Sequence, residues 1–340
     1  MTTQLDSSIG IKKEATFGTA VVVDKFYEFT EEDFAWVPTF AAGTGMRYGK
    51  RMASADRRVL VKEESNGSLT VEAVTKGLGA LFEAALGAAT STLVSGTAFQ
   101  QVFTPTVTDY LPSYTVQKGI SPLGVGPTSP QTYAGCVCSG FEVSGANGAI
   151  PTFKFSFLGK SVETTTAYAA ASYPAANQLL SFVNGSITIG GTVTPPTATA
   201  LASGGTAAGN IRDFALTWDN GLDANGFNFG GKGQRGRKPA VGERVATGTI
   251  TAEYDTNVLR DAYLAQADLS LVLTFASTVA ISAGNFPTIQ ITIPNIRLDG
   301  ELPKAAGGDV VTQSIVFTVL DNRIAAHPLY VAIVTPETEI

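Results

Sequence analysis

Apolar and polar residues alternate in short runs over most of the chain: GSLTVEAV (67–74), SGFEVSG (139–145), TFKFSFLG (152–159), GSITIGGTV (185–193), GTITAEYD (248–255), LSLVLTFA (269–276), TIQITIPNIRL (288–298) and QSIVFTVLD (313–321). A period of two, bounded by Gly, Asn, Asp and Pro, predicts half-buried antiparallel strands. Two segments carry a helical period instead. TKGLGALFEAALG (75–87) places Leu78, Leu81, Phe82, Ala85 and Leu86 on one side after Thr75 as N-cap, and TNVLRDAYLAQA (256–267) does the same with Leu259, Ala262 and Tyr263 after Thr256.

Each helical segment follows a strand of the same form, and the two strand–helix units superimpose with an offset of 181 residues. Gly67, Thr70, Glu72, Thr75, Leu78 and Ala84 match Gly248, Thr251, Glu253, Thr256, Leu259 and Ala265. Upstream, Asp33-Phe34-Ala35 matches Asp213-Phe214-Ala215, and a hairpin closes each half, over 139–159 and 294–320. The expectation is a mainly β protein made of two tandem β-rich domains, residues 1–165 and 179–340, each with one flanking α-helix and a long basic loop. The small-residue stretch ETTTAYAAASYPAANQ (163–178) reads as the connection, with 166–178 as the linker between domains.

The repeat pairs two Gly-rich loops. Residues 43–66 carry Arg47, Lys50, Arg51, Arg57, Arg58 and Lys62, and residues 226–247 carry Lys232, Arg235, Arg237, Lys238 and Arg244. These loops hold 11 of the 23 basic residues and 4 of the 29 acidic ones, leaving 12 basic against 25 acidic in the body. With a net charge of −6 the whole chain repels phosphate backbones and anionic membranes, so any nucleic-acid contact has to be local. Charged residues are only 15% of the chain, a composition that suits a surface largely covered by other subunits.

Catalytic chemistry finds little support. His327 is the single histidine and stands near no GxSxG nucleophile, so it reads as structural; HExxH metal chemistry is impossible. GGKGQRGRK lacks the order of a phosphate-cradling loop, DNGLDANG (219–226) lacks the bidentate Glu of a calcium loop, and both read as turns. Glu31-Glu32-Asp33 and Glu63-Glu64 read as solvated or ion-paired surface. Cys136 and Cys138 sit at i and i+2 of a strand, where a disulfide would be strained, and read as reduced and packed. No enzyme, cofactor or metal is expected. MTTQLDSSIGIKKEATFG has no apolar signal region and no apolar run approaches 18 residues, so no membrane role is expected either.

Two features admit more than one reading. The basic loops, with Tyr48, Phe227 and Phe229 nearby, suit either nucleic-acid binding or contact with the acidic body of a neighbouring copy. Their recurrence in both halves favours repeated subunit contacts. In the strands before the helices, Ser68, Thr70 and Glu72 share one face, as do Thr249, Thr251 and Glu253. That face is either ordinary solvent-exposed surface or the wall of an aqueous channel whose negative charge keeps DNA from sticking.

The ordered series SSIGIKKEATFGTA, GSLTVEAVTKGLGALFEAALG, FALTWDNGL, GERVATGTITAEYDTNVLRDAYL and IPNIRLDGELPKAAGGDVVTQSIVFTVLDN resembles the major tail tube proteins of long-tailed, non-contractile bacteriophages over nearly the whole chain. The resemblance implies a virion protein assembled in the host cytoplasm, with tail-tube-type β-sandwich domains, rings stacked into a hollow tube, DNA passing without specific binding, and a long loop reaching an adjacent subunit or ring. It also implies a tape-measure protein, a tail terminator and a distal tail protein as partners. Single-domain members form hexameric rings; two domains per chain lead us to expect a trimeric, pseudo-sixfold ring. A carbohydrate- or cell-surface-binding β-sandwich is the alternative, but it calls for aromatics at loop tips, whereas Trp36 and Trp218 fall in expected strands.

Overall fold

A computed structural model describes residues 6–121, 128–207, 210–300, 302–304 and 310–340. The first half runs β1 (Ser7–Lys13), β2 (Lys25–Phe26), β3 (Phe29–Glu32), β4 (Ala35–Ala42), β5 (Arg58–Glu72), α1 (Gly79–Leu86), β6 (Gly87–Ser95), β7 (Ala98–Pro105), β8 (Tyr114–Ile120), β9 (Ser129–Gly145), β10 (Thr152–Gly159) and β11 (Ser161–Glu163). The second runs β12 (Gly185–Ile189), β13 (Val193–Thr194), β14 (Ser203–Gly204), β15 (Ile211–Asp219), β16 (Val245–Glu253), α2 (Val258–Ala265), β17 (Leu269–Ala276), β18 (Thr288–Gly300), β19 (Thr312–Val319) and β20 (Tyr330–Thr335). The fold is mainly β, as the alternation predicts. Of the two hairpins read from the repeat, the second includes residues 301 and 305–309, which lie outside the described residues, as do residues 1–5.

One antiparallel sheet spans both halves in the order β4, β5, β10, β9, β15, β16, β19, β18. The halves pair in matching register: Gly67 lies opposite Phe157 and Glu72 opposite Thr152, while Gly248 lies opposite Phe317 and Glu253 opposite Thr312. Gly248 has a close-packing reason to be glycine, since a Cβ there would fall 2.2 Å from the Phe317 ring. At the centre β9 pairs with β15 from Gly145–Phe214 to Gly140–Asp219, joining the halves edge to edge. Here the backbones approach so closely that a Cβ on Gly140 would fall 2.2 Å from the Trp218 carbonyl oxygen.

Two long strands change sheets along their length. The first part of β9 pairs with β8 and β11, and the first part of β18 pairs with β17 and β20, while their last residues join the spanning sheet. The space between layers fills with the alternate apolar residues the pattern marks: Leu69, Val71, Phe153, Phe155, Phe141, Val143, Phe214, Leu216, Trp218, Ile250, Ile315 and Phe317 are all buried. In α1 every residue but Glu83 is buried, and Phe82 meets the rings of Phe103, Phe141, Phe153 and Phe155 at 5.3–6.0 Å. By contrast α2 buries only Leu259.

Neither threonine caps its helix. Helix α1 begins at Gly79 with Leu78 in the cap position, and α2 begins after Asn257. Thr75 instead bonds the connecting segment, reaching Asn177 Oδ1 at 3.3 Å and accepting from Gln178 N at 3.1 Å. The segment read as a linker is therefore tied to the first half, with Gln117 bonded to Ala167 O and Ala169 N and Ser8 Oγ 3.2 Å from Tyr168 Oη.

Further ties hold the halves together. Strand β20, a continuous apolar run buried throughout, pairs with β7 of the first half, and β6 continues that sheet. Beyond it, Glu337 accepts from Gly77 N at 2.7 Å just before α1, and Gln101 Nε2 donates to Glu339 O at 3.0 Å.

Candidate assembly surfaces

Because core residues alternate with outward ones, the spanning sheet presents a second, continuous face. It carries Ser68, Thr70 and Glu72 on β5, Lys154 on β10, Glu142 on β9, Asp213, Thr217 and Asp219 on β15, Thr249, Thr251 and Glu253 on β16, and Arg297 and Asp299 on β18. Ser68 is buried, Thr70, Glu72, Thr251 and Glu253 are half-buried, and Thr249 is exposed. Glu72 and Glu253 thus lie on one face of one sheet, brought together by the strand pairing. Glu31 of β3 lies beside Thr70 on the same face, and with it seven carboxylates stand against Lys154 and Arg297, so the face is hydroxyl-rich and negative. Glu142, Asp213, Asp219 and Asp299 escape sequence reasoning because strand pairing alone brings them alongside Glu72 and Glu253.

The two basic loops are built differently. Residues 226–240 fold back across β9 and β10 onto β5 of the first half. Arg235 has no exposed surface and donates from Nη2 to Glu64 Oε2 at 2.6 Å, from Nη1 to Gly159 O at 2.5 Å and from Nε to Ala224 O at 3.1 Å. Beside it Gln234 Nε2 donates to Glu63 Oε1 at 2.6 Å, and Glu63 N donates to Gly233 O at 2.9 Å. Burial pushes the Glu64 carboxyl up, but hydrogen bonds from Lys62 and Asn66 and the charges of Arg235 and Lys62 outweigh it and hold Glu64 below its ordinary value. Of the Glu63-Glu64 pair, expected to be solvated or ion-paired surface, Glu64 is ion-paired with Lys62 and Arg235, and the two carboxylates are the acidic receiver of this clasp.

The remaining cations of the 226–240 loop have other partners. Arg237 pairs with Asp223, and Lys238 Nζ donates to Leu111 O at 3.0 Å, with burial depressing the Lys238 pKa. Lys232 is exposed. Phe227, a candidate for base stacking, lies 4.2 Å beneath Lys62 Nζ and 5.2 Å beneath the Arg235 guanidinium.

The first-half loop stands out as an arm. From Val37–Glu64 to Ala42–Arg58 strands β4 and β5 continue as a two-stranded ribbon past the end of β10. Arg47, Lys50, Arg51, Arg57 and Arg58 are exposed there, the Arg58 guanidinium 4.1 Å above the Phe40 ring. Trp36 is on the stem of this arm, 45% exposed, whereas Trp218 is buried.

The groups considered for chemistry are occupied structurally. Cys136 and Cys138 are free and buried; burial pushes both thiols up, Cys138 to about 12. His327 stacks edge-on with Tyr330 at 5.5 Å between centroids, and partial burial lowers its pKa. Among the described residues no group of three His, Cys, Asp or Glu side chains converges to hold a metal, and no helix is long and apolar enough to cross a membrane.

A family profile described as phage tail tube protein matches residues 4–319. Among curated proteins none matches the chain.

Proposed function

The chain belongs to the phage tail tube protein family, and from that premise we propose that three copies close a ring and that rings stack into a hollow conduit for DNA. As a tail tube protein it is a structural component of the virion tail. The long-tailed, non-contractile class, assembly in the host cytoplasm, and a tape-measure protein, tail terminator and distal tail protein as partners extend the same reading.

The observation that carries the proposal is the β9–β15 seam. The chain reads as two copies of one unit, β4–β5–β10–β9 and β15–β16–β19–β18, already joined edge to edge. Among the described residues its two outer edges lack a strand partner and are the counterparts of the strands that make the seam: β18, whose Leu298 and Gly300 carbonyls accept side-chain hydrogen bonds from Gln266 and Tyr263, corresponds to β9, and β3 with β4 to β15. Edge strands left unpaired invite further pairing. Repeating the seam between chains extends the sheet by eight strands each time, and three chains close 24. At a spacing of about 4.8 Å and a tilt near 40°, such a barrel is roughly 50 Å across between backbones, wide enough for duplex DNA.

The apolar face of the sheet is covered by α1 and the second layer, so the acidic, hydroxyl-bearing face is the one left for the lumen. The excess of carboxylates over cations on this face repels phosphates and leaves DNA free to slide. The 226–240 clasp locks two units of one chain, and the basic arm is left to reach a neighbour.

Purified protein imaged by negative stain after concentration is expected to show rings or hollow tubes. Only dispersed monomers, at concentrations and salt where such tubes form, would count against the proposal.

A further inference from the structure

Both outer edges of the spanning sheet are closed by the chain's own side chains. Asn295 O accepts from Leu320 N at 3.1 Å on the β19 side, so the alternate residues Leu298 and Gly300 turn their carbonyls away from β19, toward the edge. The C-terminal end of α2 takes both: Tyr263 Oη donates to Gly300 O at 2.7 Å, and Gln266 Nε2 donates to Leu298 O at 3.3 Å. On the opposite edge Asp33 N donates to Ser68 O at 3.2 Å, which leaves Phe34, Trp36 and Pro38 as the outward-facing residues. Phe34 N donates to Glu32 Oε2 at 3.1 Å, Phe34 O accepts from Tyr133 Oη at 3.0 Å, and Pro38 has no N–H to offer. Among the described residues nothing bonds the main chain of Trp36, which stands between them.

The internal repeat tells what belongs at these edges. Thr152 faces Glu72 as Thr312 faces Glu253, so Gly300, opposite Ile315, holds the place that Phe141, opposite Phe155, holds in the first half. Trp36, opposite Ser65, holds the place of Trp218, opposite Ala246, since Ser65 and Ala246 are related by the offset of 181. In the within-chain seam Phe141 lies opposite Trp218. The same seam between two copies therefore sets Trp36 of one opposite Gly300 of the other.

Around Trp218 the seam is complete. The indole is buried and donates to Asn220 Oδ1 at 3.0 Å, while Asn220 N reaches Ser139 O and Asn220 Nδ2 reaches Ala85 O on α1, each at 2.8 Å. At the outer edges the matching parts are uncovered: Trp36 is 45% exposed, and α2 leaves Val258 and Leu264 exposed where α1 is buried. Gln266 has the place of Ala85. Pro38, two residues past Trp36 as Asn220 is past Trp218, cannot serve Leu298 O, so Gln266 can keep that carbonyl when a second strand arrives. Tyr263 cannot keep Gly300 O.

We propose that Tyr263 guards the β18 edge of the free chain and is displaced by Trp36 of a second copy, whose main chain takes Gly300 O and whose indole settles against the C-terminal end of α2. The proposal rests on the ring reading and adds the step that opens the edge. Acrylamide quenching of tryptophan fluorescence reads it, because Trp218 is buried in either state. Wild-type tubes are expected to lose the quenchable emission that the free chain shows. Tyr263→Phe removes one exposed hydrogen bond, is expected to keep its melting temperature, and should form tubes at a concentration lower by roughly a factor of five. Trp36→Ala gives up an edge-on contact with Phe40 and a bond to Glu63, and is expected to stay folded and monomeric. Trp36 as quenchable in tubes as in the free chain, a Tyr263→Phe protein that assembles no more readily than wild type, or normal tubes from Trp36→Ala would each overturn the proposal and leave the tube reading intact. Wild-type protein that forms neither rings nor tubes overturns both.

Discussion

Replacing Arg235 by alanine removes the centre of the clasp between the halves. The guanidinium is fully buried and supplies three hydrogen bonds, two to main-chain carbonyls and one to Glu64. Orphaning the Gly159 and Ala224 oxygens costs about 1 kcal/mol each, and losing a charge-assisted bond costs roughly 1.5–3 kcal/mol. Glu64 keeps Lys62 and Asn66 as partners, so its charge is not stranded and the low end of that range applies. The sum is about 3–4 kcal/mol, a large share of an ordinary folding free energy. Arg235→Lys keeps the charge but loses the fork, and should cost about half as much. Calorimetry or urea unfolding gives the stability, and trypsin gives the location, since Lys232 and Arg237 flank the site and should be cut faster once the loop lets go. An Arg235→Ala protein that unfolds within about 1 kcal/mol of wild type, with unchanged cleavage in the loop, would refute the clasp.

The seam, the acid sensitivity and the sheet face each give a further expectation. Gly140→Val would drive a side chain into the Trp218 carbonyl and should destabilise the chain by about 3 kcal/mol or more and abolish rings, whereas Gly145→Ala, whose Cβ has 3.9 Å of room, should assemble normally. Glu64 has a depressed pKa, so the stability it contributes is present above its ordinary value of 4.5 and is lost as pH falls through the lowered one; urea titrations should show the Arg235→Ala penalty shrinking as pH falls below 4.5. Converting Glu72, Glu142 and Glu253 to lysine turns the sheet face from seven carboxylates and two cations to four and five, and tubes of this variant should retain DNA at low salt and release it as salt rises, while wild-type tubes retain none.

Where side chains alternate, the strands could be read almost to the residue: β10 and β17 coincide with TFKFSFLG and LSLVLTFA. Strand β20 escaped because YVAIVT is buried on both faces and so shows no alternation. The arm escaped because β5 begins nine residues before Gly67, in RVLVKEESN, where pairing with β4 alone leaves Val59, Leu60 and Val61 all exposed. Thr75 looked like a cap, but its hydroxyl serves the connecting segment, a partner about a hundred residues away. The basic loops were visible as charge, yet nothing local tells that Arg235 is consumed inside the chain while Arg47, Lys50 and Arg51 stay free. That difference depends on Glu63 and Glu64, whose places in the second half are taken by Arg244 and Val245. Long-range pairing decides such matters, and local periodicity does not encode it.

Image averaging of assembled tubes to the point where strands are resolved tests the central claim most directly. The account predicts three chains and 24 strands per ring, a β18–β4 seam between chains that repeats the β9–β15 seam within each, and Glu72 and Glu253 facing the lumen. Six chains per ring, or Glu72 and Glu253 on the outer wall, would contradict it.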